Sequence, residues 1–157
     1  MRCLVLSVVV LLAASAVRAD DFAIDVSAQA AKESKAVEAK YPQPDKKAQP
    51  RAVLKVAANT PIIVKWTARN LGKATVKDAL VHFFVVKQEK LDQQEVPKLT
   101  KNVVVESALT MDFKTQDKTE GEITFTVRNP GCYLLRLEIK GAAVKGEPFA
   151  ALDIVVR

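Results

Sequence analysis

The stretch Ile62-Ile63-Val64-Lys65-Trp66-Thr67-Ala68-Arg69 decides the fold, because its apolar residues recur at every second position. The positions between them are mostly polar. Successive side chains of a β-strand point to opposite faces of the sheet, so this spacing predicts a half-buried strand with Trp66 facing the core. The sequence Asn70-Leu71-Gly72-Lys73 follows as a turn signal and ends the strand.

The same two-residue period recurs through the rest of the chain, and no helical period appears after residue 50. Further strand-like stretches lie at residues 52–57, 76–87, 103–105 with 109–113, 123–127, 133–139 and 152–156. Turn signals separate these short stretches. Residues 51–157 are therefore predicted to form one all-β domain, an antiparallel immunoglobulin-like β-sandwich of about seven strands.

Residues 1–19 have the pattern of a secretory signal peptide. Met1-Arg2 gives a positive start, residues 4–16 form an apolar run, and Val17-Arg18-Ala19 precedes Asp20. We expect cleavage after Ala19. The apolar run is shorter than a bilayer-spanning helix needs, so the cleaved protein is predicted to have no membrane span. The predicted location is secreted or periplasmic.

Residues 20–50 differ in composition from the stretch that follows. Residues 27–40 are rich in Ala, Lys, Glu and Gln, and three prolines come after them. This composition predicts a disordered or weakly helical spacer with little apolar surface to bury. An alternative for the start of this segment is a short additional strand, because Phe22, Ile24 and Val26 alternate with polar neighbours.

Several short motifs resemble CARDB-type (cell-adhesion-related) immunoglobulin-like domains of exported bacterial proteins. Trp66-Thr67-Ala68-Arg69-Asn70-Leu71-Gly72 with Val76-Lys77-Asp78-Ala79 is similar to their strand–Asn-x-Gly–strand opening. Gly121-Glu122-Ile123-Thr124-Phe125-Thr126-Val127 and Pro130-Gly131-Cys132-Tyr133-Leu134-Leu135-Arg136-Leu137 resemble their paired late strands. The resemblance implies an extracytoplasmic interaction module and supplies no catalytic residues. The whole chain also resembles short exported bacterial proteins.

Charge and cysteine content narrow the function classes. The 157 residues carry a formal net charge of +6, and both signs are interspersed without a basic block. This pattern predicts no nucleic-acid partner. Cys3 leaves with the signal peptide, so Cys132 cannot form an intramolecular disulfide. A small eukaryotic secreted domain usually has paired cysteines, and the sequence also lacks an Asn-x-Ser/Thr sequon, which favours a bacterial exported protein.

Candidate catalytic groups do not converge in the sequence. A Cys132–His82 pair would have both side chains on the outer face, but Cys132 is expected opposite about Val86. That places it roughly 14 Å from His82 at about 3.4 Å per residue, too far for a nucleophile–base pair. No serine lies in a Gly-x-Ser-x-Gly motif. We therefore predict no enzyme activity.

The sequence also predicts no metal and no cofactor. His82 is the only histidine, and no phosphate-binding glycine loop occurs. A group of carboxylates surrounds one loop but lacks the alternating Asp-x-Asp-x-Asn pattern of a calcium site: Asp112, Asp117, Glu120 and Glu122. We interpret them as solvated loop charges.

The strand at residues 76–87 is apolar on both faces, which marks a candidate interaction surface. Its outer face is predicted to carry a patch joined by one residue of the neighbouring strand: Leu80, His82, Phe84, Val86 and Leu134. Alternatively, the charged connection at residues 87–101 or the 20–50 segment covers this face. The predicted function is a non-enzymatic binding or structural module for an unknown protein or cell-envelope partner, acting through a sheet face or an edge strand. The alternative is a periplasmic accessory protein that handles a ligand or a metal.

Overall fold

Nine β-strands and no helix make up the part of the chain that the computed structural model describes, residues 21–43, 49–144 and 146–157. The strands are β1 Phe22–Ala30, β2 Val37–Tyr41, β3 Val53–Val56, β4 Pro61–Asn70, β5 Val76–Gln88, β6 Val103–Phe113, β7 Lys118–Thr126, β8 Gly131–Lys140 and β9 Phe149–Val156. The predicted signal peptide, residues 1–19, lies outside the described residues.

The strands form two sheets that pack face to face. The first has the order β2-β1-β4-β7 and is antiparallel throughout. The second has the order β3-β9-β8-β5-β6, and its only parallel pair among the described residues is β3 with β9. The predicted all-β immunoglobulin-like sandwich is confirmed. The seven predicted strands correspond to β3–β9, and β1 and β2 are additional.

The prediction of a spacer at residues 20–50 is wrong for Phe22–Tyr41. Strand β1 pairs with β4 along its whole length, from Phe22 opposite Asn70 to Ala30 opposite Ile62, and its other edge pairs with β2. Every second side chain of β1 is at most 1% exposed: Phe22, Ile24, Val26, Ala28 and Ala30. Because β1 has a strand partner on each side, it lies in the interior of the first sheet, and its alternate side chains are buried against the second.

Trp66 faces the core, as the alternation of β4 predicts, and is 8% exposed. It lies directly opposite Gly121 of β7. A Cβ atom at position 121 would lie 2.6 Å from the indole ring, inside van der Waals contact. The indole therefore fills the space that a side chain on β7 would need, and only glycine fits there.

The start of β8 is fixed by a side-chain hydrogen bond. Tyr133 is buried, and its hydroxyl donates to the backbone carbonyl of Asn129 at 2.7 Å. Burial raises the pKa of the Tyr133 hydroxyl. A tyrosine that bonds back to the chain a few residues upstream is a recurrent corner of immunoglobulin-like sandwiches.

Candidate functional site

The part of the outer face of the second sheet around Phe84 is covered by the chain's own β5–β6 connection, residues 89–102. Phe84, Val86 and Leu134 come together there as a second apolar cluster, separate from the core between the sheets. Each is at most 1% exposed. Leu99 of the connection packs against them, together with Val103 and Ala151. Of the two sequence interpretations, the structure therefore has the covered face, and these three side chains are not open to a partner.

The remaining two residues of the predicted patch lie apart from this cluster. Leu80 is only partly buried, near the end of the sheet. His82 is 8% exposed, and its ring contacts the Phe84 ring at a centroid distance of 5.1 Å. The five residues share a face as predicted from strand parity, but they divide into a covered apolar part and a charged part around His82.

A buried carboxylate holds the 89–102 connection in place. Asp153 of β9 is 0% exposed and accepts hydrogen bonds from Arg51 Nε at 2.7 Å and from Gln88 Nε2 at 3.0 Å. Its other oxygen accepts the backbone N–H of Asp92 at 2.5 Å. The Arg51 guanidinium also donates to the carbonyl of Gln93 at 2.9 Å. The Arg51–Asp153 pair therefore ties the connection to β9 and to the chain before β3.

The charged part of the outer face is organised by His82. Its Nδ1 lies 3.0 Å from Oε1 of Glu138, the residue directly opposite on β8. Its Nε2 lies 2.9 Å from Oε1 of Glu106 on β6. Because Ala108 is the residue opposite His82 on β6, Glu106 reaches the ring as a diagonal neighbour. One imidazole therefore bridges three adjacent strands.

Glu138 is buried among cations. Lys140 Nζ lies 2.5 Å from its Oε1, and Arg136 Nε lies 2.9 Å from its Oε2 without hydrogen-bond alignment. Burial by itself would raise the pKa of Glu138, but the hydrogen bonds from Lys140 and His82 and the charges of Arg136 and Lys140 outweigh it. The pKa of Glu138 is therefore held below its ordinary value of 4.5. The Arg136 guanidinium also stacks on the Phe149 ring, 3.8 Å from its centre.

Neither a catalytic pair nor a metal site follows from these groups. Cys132 lies opposite Gln88, six residues along β5 from His82, which is roughly 20 Å. Glu106 and Glu138 contact different nitrogens of the His82 ring, so they do not converge on one ion. Within residues 21–43, 49–144 and 146–157, no group of three or more His, Cys, Asp or Glu side chains is placed to hold a metal.

A groove of about 570 Å³ lies beside the covered cluster. Leu134, Arg136, Phe149 and Ala151 line it from the second sheet, and residues 38–40 of β2 line it from the first. Its lining includes Arg51 and Arg136, whose guanidinium groups are already engaged with carboxylates. The groove thus has a mixed polar and apolar lining between the two sheets, and Arg51 and Arg136 are already paired within the chain.

Strand β6 is the long edge of the second sheet, and its regular pairing with β5 runs between two irregularities, one at each end. It runs for 11 residues and pairs with β5 on one side, while its other side has no strand partner in the described part of the chain. Leu109 is 53% exposed and Val104 is 37% exposed. The run Ser107-Ala108-Leu109-Thr110-Met111 carries no charge, proline or glycine. Long uncharged edges present free main-chain donors and acceptors and are usually protected in proteins.

The other three edge strands are protected. Strands β2 and β3 have only five and four residues. Strand β7 carries Lys118, Glu120 and Glu122 together with Gly121. Short length, charge and glycine each oppose pairing with a further strand. Among the described strands, β6 is therefore the edge best suited to strand addition. The sequence pattern predicts an edge strand as one mode of action but does not indicate which, because residues 103–105 and 109–113 have the pattern of two short strands.

Comparison of the sequence with models of protein families gives no match, and comparison with curated proteins gives none either. The fold is similar to the solution structure of the CARDB domain of PF1109 from Pyrococcus furiosus, with 13% identity over 87% of this chain and 96% of that chain and a TM-score of 0.51. It is also similar to the PmoD soluble domain from Methylocystis sp. ATCC 49242 (Rockwell), with 12% identity over 85% and 90% of the two chains and a TM-score of 0.46. The C-terminal domain of wzt is similar at 12% identity over 84% and 70%, with a TM-score of 0.46.

The protein has a CARDB-like immunoglobulin-type β-sandwich fold. The resemblance stated from the sequence motifs is confirmed at the level of the fold. Over the residues that the structure covers, no helix has the length and apolar character needed to cross a membrane.

Proposed function

We propose that the protein is a non-enzymatic interaction module that acts outside the cytoplasm and engages its partner through edge strand β6. The observation that carries the proposal is the contrast between β6 and the other three edges. Strand β6 is long, partly apolar and uncharged at its centre, whereas the others are short or charged. The predicted signal peptide at residues 1–19 and the CARDB-like fold support an exported module.

The partner that fits β6 is an extended polypeptide segment that adds a strand to the second sheet. Main-chain hydrogen bonds supply the affinity in this mode, and side chains at alternate positions supply the specificity. Eleven residues at about 3.4 Å each give an edge of roughly 37 Å. Leu109 offers the largest exposed apolar side chain on this edge. In this mode the partner contacts β6, and the covered cluster of Phe84, Val86 and Leu134 does not contact the partner.

Site-specific photo-crosslinking tests the surface. A photoreactive residue in place of Leu109 is expected to form one discrete adduct with a cell-envelope protein. The same residue in place of Leu91, which is 42% exposed on the 89–102 connection, is the matched control and is expected to form none. In a second arm, T110P in the crosslinking protein disrupts an added ladder and is expected to abolish the adduct while thermal unfolding stays cooperative. Equal adducts at positions 109 and 91, or an adduct that survives the proline, would contradict the proposal.

A further inference from the structure

We propose that the doubly protonated ring of His82 attaches edge strand β6 to the sheet through Glu106. Loss of one ring proton as the pH rises releases this contact. The proposal concerns how β6 is attached to its own domain. It therefore stands whether or not β6 recruits a partner.

The geometry requires a doubly protonated ring. Nδ1 and Nε2 each face a carboxylate oxygen, at 3.0 Å and 2.9 Å. A neutral imidazole has one N–H donor and one acceptor lone pair, whereas the imidazolium has two donors. A carboxylate oxygen only accepts, so a neutral ring satisfies one of the two contacts and turns a lone pair towards the other. Both contacts exist together only in the charged form.

The difference in exposure between the two carboxylates decides which contact is lost. The Glu138 side chain is 6% exposed and is also held by Lys140 and Arg136. The Glu106 side chain is 48% exposed and can rotate into water. Leaving a lone pair against a fixed, buried carboxylate costs more than releasing an exposed one. The neutral ring is therefore expected to keep Nδ1–H on Glu138 and to release Glu106.

The His82 ring is surrounded by two carboxylates and one aromatic ring. From β6 it faces Glu106, from β8 it faces Glu138, and on its own strand the neighbouring ring is Phe84. Lys140 and Arg136 lie behind Glu138. Loss of one ring proton from His82 removes the Glu106 contact. Strand β6 then keeps its pairing with β5 and the packing of Phe113 against Phe22 in the core.

Loss of the His82–Glu106 contact is expected to affect hydrogen exchange in β6 first, because β6 is an edge strand. A cross-strand side-chain contact stabilises a pair of strands modestly, so the amide protection factors of β6 are expected to fall by about two- to fivefold. The two pH values compared are one at which both ring nitrogens of His82 are protonated and one at which a single ring N–H remains. Protection factors divide out the intrinsic pH dependence of exchange. The core strand β8, which is paired on both sides, is expected to keep its protection.

Two measurements on the wild-type protein and two variants test the proposal. Hydrogen exchange should show the pH-dependent loss in β6 of the wild type and no such loss in E106Q. The control E122Q removes an equally exposed carboxylate on β7, 3.8 Å from Lys65, and should behave as wild type. Equal β6 protection at both pH values, a loss that persists in E106Q, or a loss shared by β8 would overturn the proposal.

The second measurement is nitrogen NMR of the imidazole, which is unambiguous because the chain has one histidine. The expected result is two protonated nitrogens at the lower pH and the Nδ1–H tautomer at the higher pH. An Nε2–H tautomer at the higher pH would mean that Glu138, and not Glu106, is released. That result would refute the proposed role of the His82–Glu106 contact, even if hydrogen exchange in β6 changed with pH.

Discussion

Replacing Phe84 by alanine tests whether the outer face of the second sheet is truly closed. Phe84 is 1% exposed and packs with Val86 and Leu134 under Leu99 of the connection. Truncating a buried phenylalanine costs about 3–5 kcal/mol, and the cost is smaller where the surroundings can collapse into the cavity. Because only one connection covers Phe84, the expected loss in the free energy of unfolding is at the lower end, about 3 kcal/mol.

Urea denaturation of matched variants provides the measurement. F83A removes the adjacent side chain on the opposite face of β5, in the core between the sheets, and is expected to lose about 4–5 kcal/mol. L109A removes an exposed side chain and is expected to change stability by less than about 0.5 kcal/mol. A loss for F84A as small as that for L109A would refute the closed face. It would mean that the connection does not shield this cluster in solution and that the predicted patch is available to a partner.

Three further outcomes are expected. A chain shortened to residues 51–157 loses β1, which pairs with β4 along its whole length, and also loses β2. It should show no cooperative thermal transition by circular dichroism. A sharp transition in the shortened chain would show that β1 is dispensable. G121V places its Cβ 2.6 Å from the Trp66 ring, closer than van der Waals contact, and it should lower the melting temperature and change indole fluorescence. T124V, at an exposed position of the same strand, is the control and should change neither. The pKa of Glu138 is depressed in the folded state, so the stability that Glu138 contributes is present above its unfolded pKa and is lost as the pH falls through its folded pKa. E138Q should therefore lose less stability than the wild type on acidification below about pH 4.5. An acid-denaturation profile identical to that of the wild type would contradict the depressed pKa.

Local alternation was sufficient to predict β3–β9, indicated only the start of β1 as an open alternative, and did not indicate β2. In β4 the inward positions carry large apolar side chains, so the period is evident. In β1 the last two inward positions are Ala28 and Ala30, and the surrounding Ala, Lys and Gln are typical of a weak helix. Their burial depends on β4 and the facing sheet, which a local pattern does not contain.

The sequence was sufficient to predict which side chains of the candidate site share a sheet face, but not that another part of the chain covers them. Alternation assigned Phe84, Val86 and Leu134 correctly to one face. Their closure depends on Asp153, which local alternation on β9 places on the outward side of the strand, although it is fully buried. The register was also displaced: Cys132 lies opposite Gln88 and not Val86, two residues further along β5. Long-range pairing of this kind is set by the whole fold.

The position of β9 determines when the domain can close during synthesis. This strand is the last in chain order, yet it lies between β3 and β8, and Val53 pairs with Asp153 across 100 residues. Until residues 149–156 have emerged, β3 has no neighbour in its sheet and the anchor for residues 89–102 is missing. The second sheet therefore closes only through a pairing between residues 100 apart in the chain, and long-range contacts of this kind are slow to form.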